Sequence, residues 1–141
     1  MMQLMDDVKA VPEVSRKPRI LVVEDLEDAR TMLQLLLALT LKLPVDTAVD
    51  GVDGLRMLTN SNYSVVITDL RMPNLNGMQL IAEIEKRKIP VTIIVTTGHG
   101  NQAEANEALK HGAHDFMIKP VDPEKLIAKI KRILREKITL N

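Results

Sequence analysis

The chain has 141 residues, 45% of them hydrophobic, which suits a single domain with a buried core. Its 19 basic and 19 acidic side chains balance, which argues against nucleic acid as the main partner because phosphate binding needs a basic excess. The absence of cysteine excludes disulfide bonds and thiolate metal sites.

Membrane and targeting signals are not found in the sequence. The longest apolar stretch, residues 35–41, is far shorter than the roughly 20 residues that a membrane-spanning helix needs. Residues 1–17 lack the apolar block of a signal peptide and are predicted to form a flexible tail before one domain over residues 18–138. We therefore expect a cytoplasmic protein, although a soluble domain cut from a membrane protein would have the same pattern.

The predicted elements alternate between strands and helices in chain order. The β-branched, apolar run Arg19–Val23 is typical of a strand buried on both faces. Residues 24–42 then have helical spacing, with Asp25 as the candidate N-cap. The last helix is predicted to begin with Asp122 at the N-cap and Pro123 at the first helical position. Between these elements we predict strands over residues 45–49, 65–69, 91–97 and 114–119, and helices over residues 50–61, 78–88 and 101–111.

Five repeats of a strand followed by a helix predict an α/β fold with a parallel sheet covered on both faces. Ligands of such sheets bind beyond the carboxyl ends of the strands. The strand ends carry Glu24 and Asp25, then Asp69, then Thr97, and finally Lys119. Each residue alone has an ordinary explanation, since acids cap helices and lysines at strand ends are solvated.

Several acids at one edge of the sheet indicate a bound cation, because clustered carboxylates repel one another. Oxygen ligands with room for water suit Mg²⁺ better than zinc. A divalent ion and Lys119 would neutralise charge on a transferring phosphoryl group. Asp69, at the end of the middle strand, would be the nucleophile, and Thr97 would donate a hydrogen bond to a phosphoryl oxygen.

Four segments resemble the receiver domain of two-component response regulators, over about residues 18–137. VVED (22–25) resembles the acidic pair of that family, ITDLRMPNLNG (67–77) its phosphoacceptor segment, VTTGHG (95–100) its switch-threonine segment and GAHDFMIKP (112–120) its Lys-Pro segment. All four at the expected spacings are highly specific. The resemblance implies a flavodoxin-like three-layer sandwich with five helices and a five-stranded parallel sheet in the order 2-1-3-4-5.

The resemblance also implies roles for the residues of the site. Asp69 would be the phosphate-accepting nucleophile, and Lys119 would hold the phosphate. Asp25 would bind Mg²⁺ directly and Glu24 directly or through water, together with Asp69 and the backbone carbonyl of Arg71. Glu24 stands where Asp is commoner in the family. Arg71 occupies a variable position beside the site, and its effect on the lifetime of the phosphoryl group is open.

The family has a conformational switch, to which three further residues correspond. Thr97 is the switch hydroxyl, chosen over Thr96 because Gly98 then fills the small-residue position that follows. Phe116 occupies the aromatic switch position and lacks the hydroxyl of the usual Tyr. Pro120 implies a cis Lys-Pro bond.

The same resemblance implies a signalling phosphoacceptor that catalyses only its own phosphorylation and dephosphorylation, and not a conventional enzyme. The phosphoryl group would come from a sensor histidine kinase, a histidine phosphotransfer protein or a small phosphodonor. An effector domain or protein would bind the face formed by helix four, strand five and helix five. We expect no direct contact of this domain with nucleic acid or membrane, and we leave open whether it forms a homodimer.

The first helix is unusually rich in leucine. A helical wheel leaves Leu35 and Leu39 on the flank or the outside of the helix. Because helix one meets the phosphodonor protein in this family, we interpret Leu35 and Leu39 as a docking patch. The alternative is a wider core stripe. The wheel assigns to the core side Ala29, Met32, Leu33, Leu36, Leu37 and Thr40.

Other patterns suggest different functions. Gly98–Ala103 matches the dinucleotide-binding pattern G-x-G-x-x-A, but it follows the fourth strand rather than the first. His99, His111 and His114 do not have zinc-site spacing. The basic last helix is explained more simply by a polar outer face than by a membrane or nucleic-acid contact. A dinucleotide-dependent oxidoreductase and an unphosphorylated interaction module are the alternative functions.

Overall fold

The computed structural model describes residues 17–98 and 101–140, with side chains up to residue 137. The predicted flexible tail therefore lies outside the described residues, except for Lys17. The strands are β1 (Ile20–Val23), β2 (Val45–Ala48), β3 (Val65–Asp69), β4 (Thr92–Thr97) and β5 (Asp115–Ile118). The helices are α1 (Glu27–Leu41), α2 (Gly51–Asn60), α3 (Gly77–Arg87), α4 (Gln102–Lys110) and α5 (Pro123–Leu140).

The strands form one parallel sheet in the order β2-β1-β3-β4-β5, which confirms the predicted fold. Val23 at the end of β1 pairs with Ala48 of β2 and with Thr68 of β3. Asp69 at the end of β3 pairs with Thr96 of β4. Because all strands run in the same direction, the residues that follow β1, β3, β4 and β5 meet at one edge of the sheet.

Hydrophobic cores cover both faces of the sheet, because successive side chains along a strand point to opposite faces. In β1, Ile20 and Val22 pack on the face covered by α1 and α5. Leu21 and Val23 pack on the face covered by α2, α3 and α4. Each of these side chains is buried, so the strand that carries the first acids of the site cannot shift without disturbing both cores.

The starts of two helices test the capping predictions. The prediction that Asp25 caps α1 is wrong, because the helix begins later and Leu26, which makes no side-chain capping bond, occupies the N-cap. The carboxylate of Asp25 therefore has no capping role. Asp122 does cap α5, since its Oδ1 accepts hydrogen bonds from the amides of Glu124 at 3.0 Å and Lys125 at 3.3 Å.

The buried side of α1 differs from the one that the wheel assigned. Met32 is 70% exposed and Thr40 is also exposed, so placing both on the core side was wrong. Leu37 is fully buried, and Leu33 and Leu41 pack against the same core. The physical reason is that α1 carries apolar residues around most of its circumference, and such a helix has no single stripe that marks its buried side.

Gly77, the first residue of α3, lies directly against the end of β3. A Cβ atom at this position would come within 2.3 Å of the carbonyl oxygen of Asp69 and within 2.7 Å of the Cα of Leu70. The amide of Gly77 donates a hydrogen bond of 2.9 Å to the carbonyl of Leu70. The helix therefore approaches the strand that carries Asp69 this closely only because residue 77 has no side chain.

We predict that Gly77→Ala lowers the free energy of unfolding by about 1–3 kcal/mol, the usual cost of overpacking, because the added methyl group displaces the backbone of residues 69 and 70. Urea unfolding at neutral pH measures the change. Gly98→Ala is the matched control, since among the described residues a Cβ atom there would meet only the side chain of Asn101, at 3.7 Å. Its stability should change by less than about 0.5 kcal/mol. Equal stability of both variants would contradict the close packing at Gly77.

Candidate acidic site at the carboxyl edge of the sheet

Three acids from two strand ends converge, as their positions predict. Glu24 and Asp25 follow β1 and Asp69 ends β3, and each offers a carboxylate oxygen within 4.8 Å of the other two. Glu24 is 2% exposed and Asp69 is 9% exposed, while Asp25 is half-buried. Such a group of acids needs a cation nearby, because burial strengthens the repulsion between like charges.

The ammonium of Lys119 lies between two of these acids. Its Nζ donates to Oδ2 of Asp69 at 2.6 Å and to Oε1 of Glu24 at 2.9 Å. The amide of Lys119 donates to the carbonyl of Thr97 at 2.7 Å, which holds the backbone of the lysine at the end of β4. The Lys119–Pro120 bond is cis, as predicted. Lys119 is therefore not a solvated strand end but a partner of the buried acids.

The acids and the lysine change each other's protonation. Burial raises the pKa of the Glu24 carboxyl, and the hydrogen bond from Lys119 opposes this rise only in part. Burial alone would lower the pKa of Lys119, but the hydrogen bonds to Asp69 and Glu24 outweigh it and raise that pKa. The lysine is therefore charged at neutral pH, and two acids share its charge.

The loop after β3 holds the other oxygen of Asp69. The amide of Arg71 donates to Oδ1 of Asp69 at 3.2 Å, so both carboxylate oxygens have a donor. The guanidinium of Arg71 contacts α4, where Nη2 donates to Glu104 at 2.5 Å and to Asn101 at 3.0 Å. Arg71 thus connects the loop of the acidic site to the first turn of α4. The sequence did not predict this contact.

Thr97 ends β4, and Phe116 lies within the neighbouring strand β5. The side chain of Thr97 is buried, and among the described residues its hydroxyl makes no hydrogen bond. Phe116 is half-buried and packs against the core beneath α2, α3 and α4. A buried hydroxyl without a partner is uncommon, because its desolvation is not compensated.

Arg30, on α1, is part of the site although the sequence analysis did not select it. Its Nη1 donates to the backbone carbonyl of Glu24 at 3.0 Å and to that of Asp25 at 3.3 Å. An arginine one turn inside a helix is common, and only the path of the preceding loop shows which acceptors it reaches.

The donor atoms of the site fit a hard divalent cation. Carboxylate oxygens are the ligands that Mg²⁺ prefers, and one cluster with partial exposure leaves room for water. Within the described residues, this triad is the only cluster of histidine, cysteine or acidic side chains that could hold a metal ion. The exposed His111 and His114 do not belong to it, and His99 lies outside the described residues.

None of the helices in the described part of the chain combines the length and the apolar character that crossing a membrane would take. The dinucleotide-like pattern at residues 98–103 includes two residues outside the described ranges.

Comparison with known proteins points to one family. The sequence model of the family of response regulator receiver domains matches residues 20–131 of this chain. The transcriptional regulatory protein GlrR of Escherichia coli K12 is 39% identical over 125 residues, which are 87% of this chain and 28% of that protein. The response regulator ArlR of Staphylococcus aureus is 35% identical over 117 residues, which are 83% of this chain and 52% of that protein. The chain therefore spans about a quarter to half of the length of these relatives.

Solved structures agree with the sequence comparison. The crystal structure of a response regulator receiver domain from Clostridium thermocellum has a TM-score of 0.82 and 34% identity, and covers 88% of this chain and 99% of its own. The structure of FixJ-N has a TM-score of 0.78 and 32% identity, and covers 85% of this chain and 95% of its own.

We predict that Lys119→Met lowers the free energy of unfolding by about 2 kcal/mol in metal-free buffer, because Glu24 and Asp69 lose their charged partner. Urea unfolding with EDTA measures the loss. Lys129→Met is the matched control, since among the described residues this lysine pairs only with Asp115, and the partly exposed pair should contribute less than about 1 kcal/mol. An Lys119→Met protein as stable as the unsubstituted one would show that the acids do not need the lysine.

Proposed function

Because the chain belongs to the family of response regulator receiver domains, we propose that Asp69 accepts a phosphoryl group in a Mg²⁺-dependent reaction and that the domain then changes conformation. Receiver domains are signalling domains of two-component systems. We propose that this one catalyses only its own phosphorylation and dephosphorylation. The observation that carries the proposal is the surroundings of Asp69, whose carboxylate contacts the ammonium of Lys119 and lies within a cluster of three acids.

In the proposed reaction a carboxylate oxygen of Asp69 attacks the phosphorus atom of the donor. The bond from phosphorus to the leaving atom of the donor then breaks. The leaving atom is a histidine nitrogen in a phosphohistidine donor or an oxygen in a small phosphodonor, and it keeps the electron pair of the broken bond. An aspartyl phosphate forms. Lys119 can neutralise the phosphoryl oxygens because its ammonium already contacts Oδ2, and the amide of Arg71 orients the carboxylate through Oδ1.

We propose that Glu24, Asp25, Asp69 and the backbone carbonyl of Arg71 hold the Mg²⁺, directly or through water. When bound, the ion supplies a divalent charge that balances the charge of the phosphoryl oxygens. The absence of nitrogen and sulfur ligands from the acid triad favours Mg²⁺ over zinc. The side chain of Glu24 is longer than that of the Asp that is commoner at its position. Its carboxylate also accepts hydrogen bonds from Nζ of Lys119 and, at 3.2 Å, from the amide of Leu26.

Thr97 and Phe116 are the proposed switch residues. The hydroxyl of Thr97 is buried without a partner among the described residues, so a phosphoryl oxygen on Asp69 would offer it an acceptor. The added group carries roughly −2 charge, which would also attract Lys119. Phe116 has no hydroxyl, and packing alone would therefore govern its movement.

The proposed output surface is the face formed by α4, β5 and α5. Leu109 of α4 and Ile118 of β5 are partly exposed there. The chain spans only part of its relatives, one of which is named a transcriptional regulatory protein. We propose that an effector domain or protein receives the signal at this face and that this domain itself binds neither nucleic acid nor membrane. We propose that the domain lies in the cytoplasm, because the histidine of a kinase phosphodonor is phosphorylated there by ATP.

The outer face of α1 is the proposed docking patch for the phosphodonor protein. Leu35 is 55% exposed and Leu39 is 75% exposed, and the exposed Met32 extends the patch by one turn. The spacing of these three residues suits packing against a helix of a sensor histidine kinase or of a histidine phosphotransfer protein.

We predict that Asp69→Asn abolishes phosphate incorporation from a small phosphodonor with Mg²⁺, because the amide is not a nucleophile. Radiolabelled phosphodonor or the mass of the intact protein measures incorporation. Asp28→Asn, an exposed acid of α1, is the control and should be labelled normally. Retained labelling of Asp69→Asn would show that another residue is the nucleophile.

The same assay separates the alternative functions. An interaction module would not be labelled at all. Mg²⁺ with beryllofluoride should raise the melting temperature of the unsubstituted protein and NAD should not, whereas the opposite result would favour a dinucleotide-dependent oxidoreductase.

We predict that the double variant Leu35→Ser, Leu39→Ser slows phosphoryl transfer from the partner kinase or phosphotransfer protein by about tenfold or more, since two apolar contacts are lost from the patch. Its labelling by a small phosphodonor should be unchanged. Leu109→Ser, the same substitution at a partly exposed leucine of α4, is the control and should be phosphorylated at the normal rate. Unchanged transfer to the double variant would exclude docking at this patch.

A further inference from the structure

We propose that Arg30 is a positioning residue, which sets the Mg²⁺ affinity of the site by fixing the loop that carries Glu24 and Asp25. The proposal rests on the proposed function, since it concerns the same metal site. Arg30 itself is not a ligand, because a guanidinium has only donors.

The hydrogen bonds of Arg30 fix two successive carbonyls. One nitrogen, Nη1, reaches the carbonyl of Glu24 at 3.0 Å and that of Asp25 at 3.3 Å. These two residues and Leu26 are the whole connection between β1 and α1. A guanidinium that bridges adjacent peptide groups restricts their rotation, and with it the direction in which the following side chains leave the loop.

Other contacts leave the loop incompletely fixed. The amide of Glu24 donates to the carbonyl of Ala48 at 3.1 Å, and the Glu24 carboxylate accepts hydrogen bonds from the amide of Leu26 and from Nζ of Lys119. These contacts hold Glu24 but not Asp25. Leu26 stands at the N-cap of α1 and has no side chain that could cap the helix. Within the described part of the chain, the bond from Arg30 is the only hydrogen bond that Asp25 makes. The position of Asp25, a proposed direct ligand, therefore depends on Arg30.

Arg30 is in turn held by the helix. Its amide donates to the carbonyl of Leu26 at 2.9 Å in the first turn of α1, and its side chain is half-buried. The helix packs on the sheet through Leu37, which is fully buried. The guanidinium thus connects the loop of the acids to a rigid element of the core.

Charge and geometry predict opposite effects of removing Arg30. A positive charge beside a cation site repels the cation, so charge alone predicts tighter Mg²⁺ binding when the arginine is replaced. Loss of the hydrogen bonds that orient the acids predicts weaker binding, by about 10- to 100-fold for partners that orient metal ligands. The sign of the change therefore distinguishes a positioning residue from a nearby charge.

The test is a Mg²⁺ titration of the full chain by isothermal calorimetry, with the unsubstituted protein, Arg30→Met and Arg30→Lys. We expect Arg30→Met to bind Mg²⁺ at least about tenfold more weakly. Arg30→Lys should bind more tightly than Arg30→Met, because its ammonium can still donate to a loop carbonyl. The control is Arg56→Met, which removes an exposed arginine whose one ion-pair partner within the described ranges is Asp53 of α2, and it should leave the affinity unchanged.

Circular dichroism and the melting temperature in EDTA show whether each variant is folded. If Arg30→Met does not fold, Arg30→Gln replaces it with the same expected weakening, since the glutamine side chain is too short to reach the carbonyls. An affinity of the folded variant equal to or tighter than that of the unsubstituted protein would overturn the proposal, as would Arg30→Lys binding more weakly than Arg30→Met. Absence of Mg²⁺ binding by the unsubstituted chain would instead refute the proposed metal site, and this inference with it.

Discussion

The site is governed by one electrostatic constraint, the need of three neighbouring carboxylates for positive charge. Two of the acids are largely buried, so water cannot screen their repulsion well. Lys119 satisfies part of this need by contacting Glu24 and Asp69 together. It can do so because β5 is the edge strand next to β4, and its end lies beside the end of β3 across only one strand. The order of the sheet is therefore what permits the charge balance.

Most of this arrangement could be predicted from the sequence because it depends on strand ends. Apolar runs such as 65–69 stop at a polar residue, and the alternation of strands and helices forces those stops to one edge. Asp69 and Lys119 are 50 positions apart, and parallel strands place both at the same edge of the sheet. Their contact also needs β3 and β5 to lie close together, and that strand order came from the family resemblance. The strand register then sets which residues lie side by side. It pairs Asp69 with Thr96, so that Thr97 extends one residue further along β4 than Asp69 does along β3.

The sequence did not predict the features that depend on where a single helix begins or on how far a side chain extends. Asp25 has the chemistry of an N-cap, but the chain enters α1 at Leu26. Met32 was assigned to the core because the many leucines of α1 give the wheel no clear direction. The contacts of Arg30 and Arg71 were missed for another reason. Both side chains are long, and each could reach several hydrogen-bond acceptors. Only the conformation of the loops decides which acceptors each guanidinium contacts.

Two side chains beside the acids, Arg71 and Thr97, differ in their surroundings, and this difference bears on the proposed switch. Arg71 reaches α4 through Glu104, and both side chains of that ion pair are substantially exposed, so the pair contributes at most about 1 kcal/mol and is easily exchanged. Thr97 lies in the opposite situation, buried with no partner for its hydroxyl among the described residues. In the proposed function, a phosphoryl group on Asp69 would give the hydroxyl of Thr97 an acceptor. Thr97, at the end of β4, therefore has a hydrogen bond to gain, while the contact from Arg71 to the first turn of α4 is weak enough to be lost.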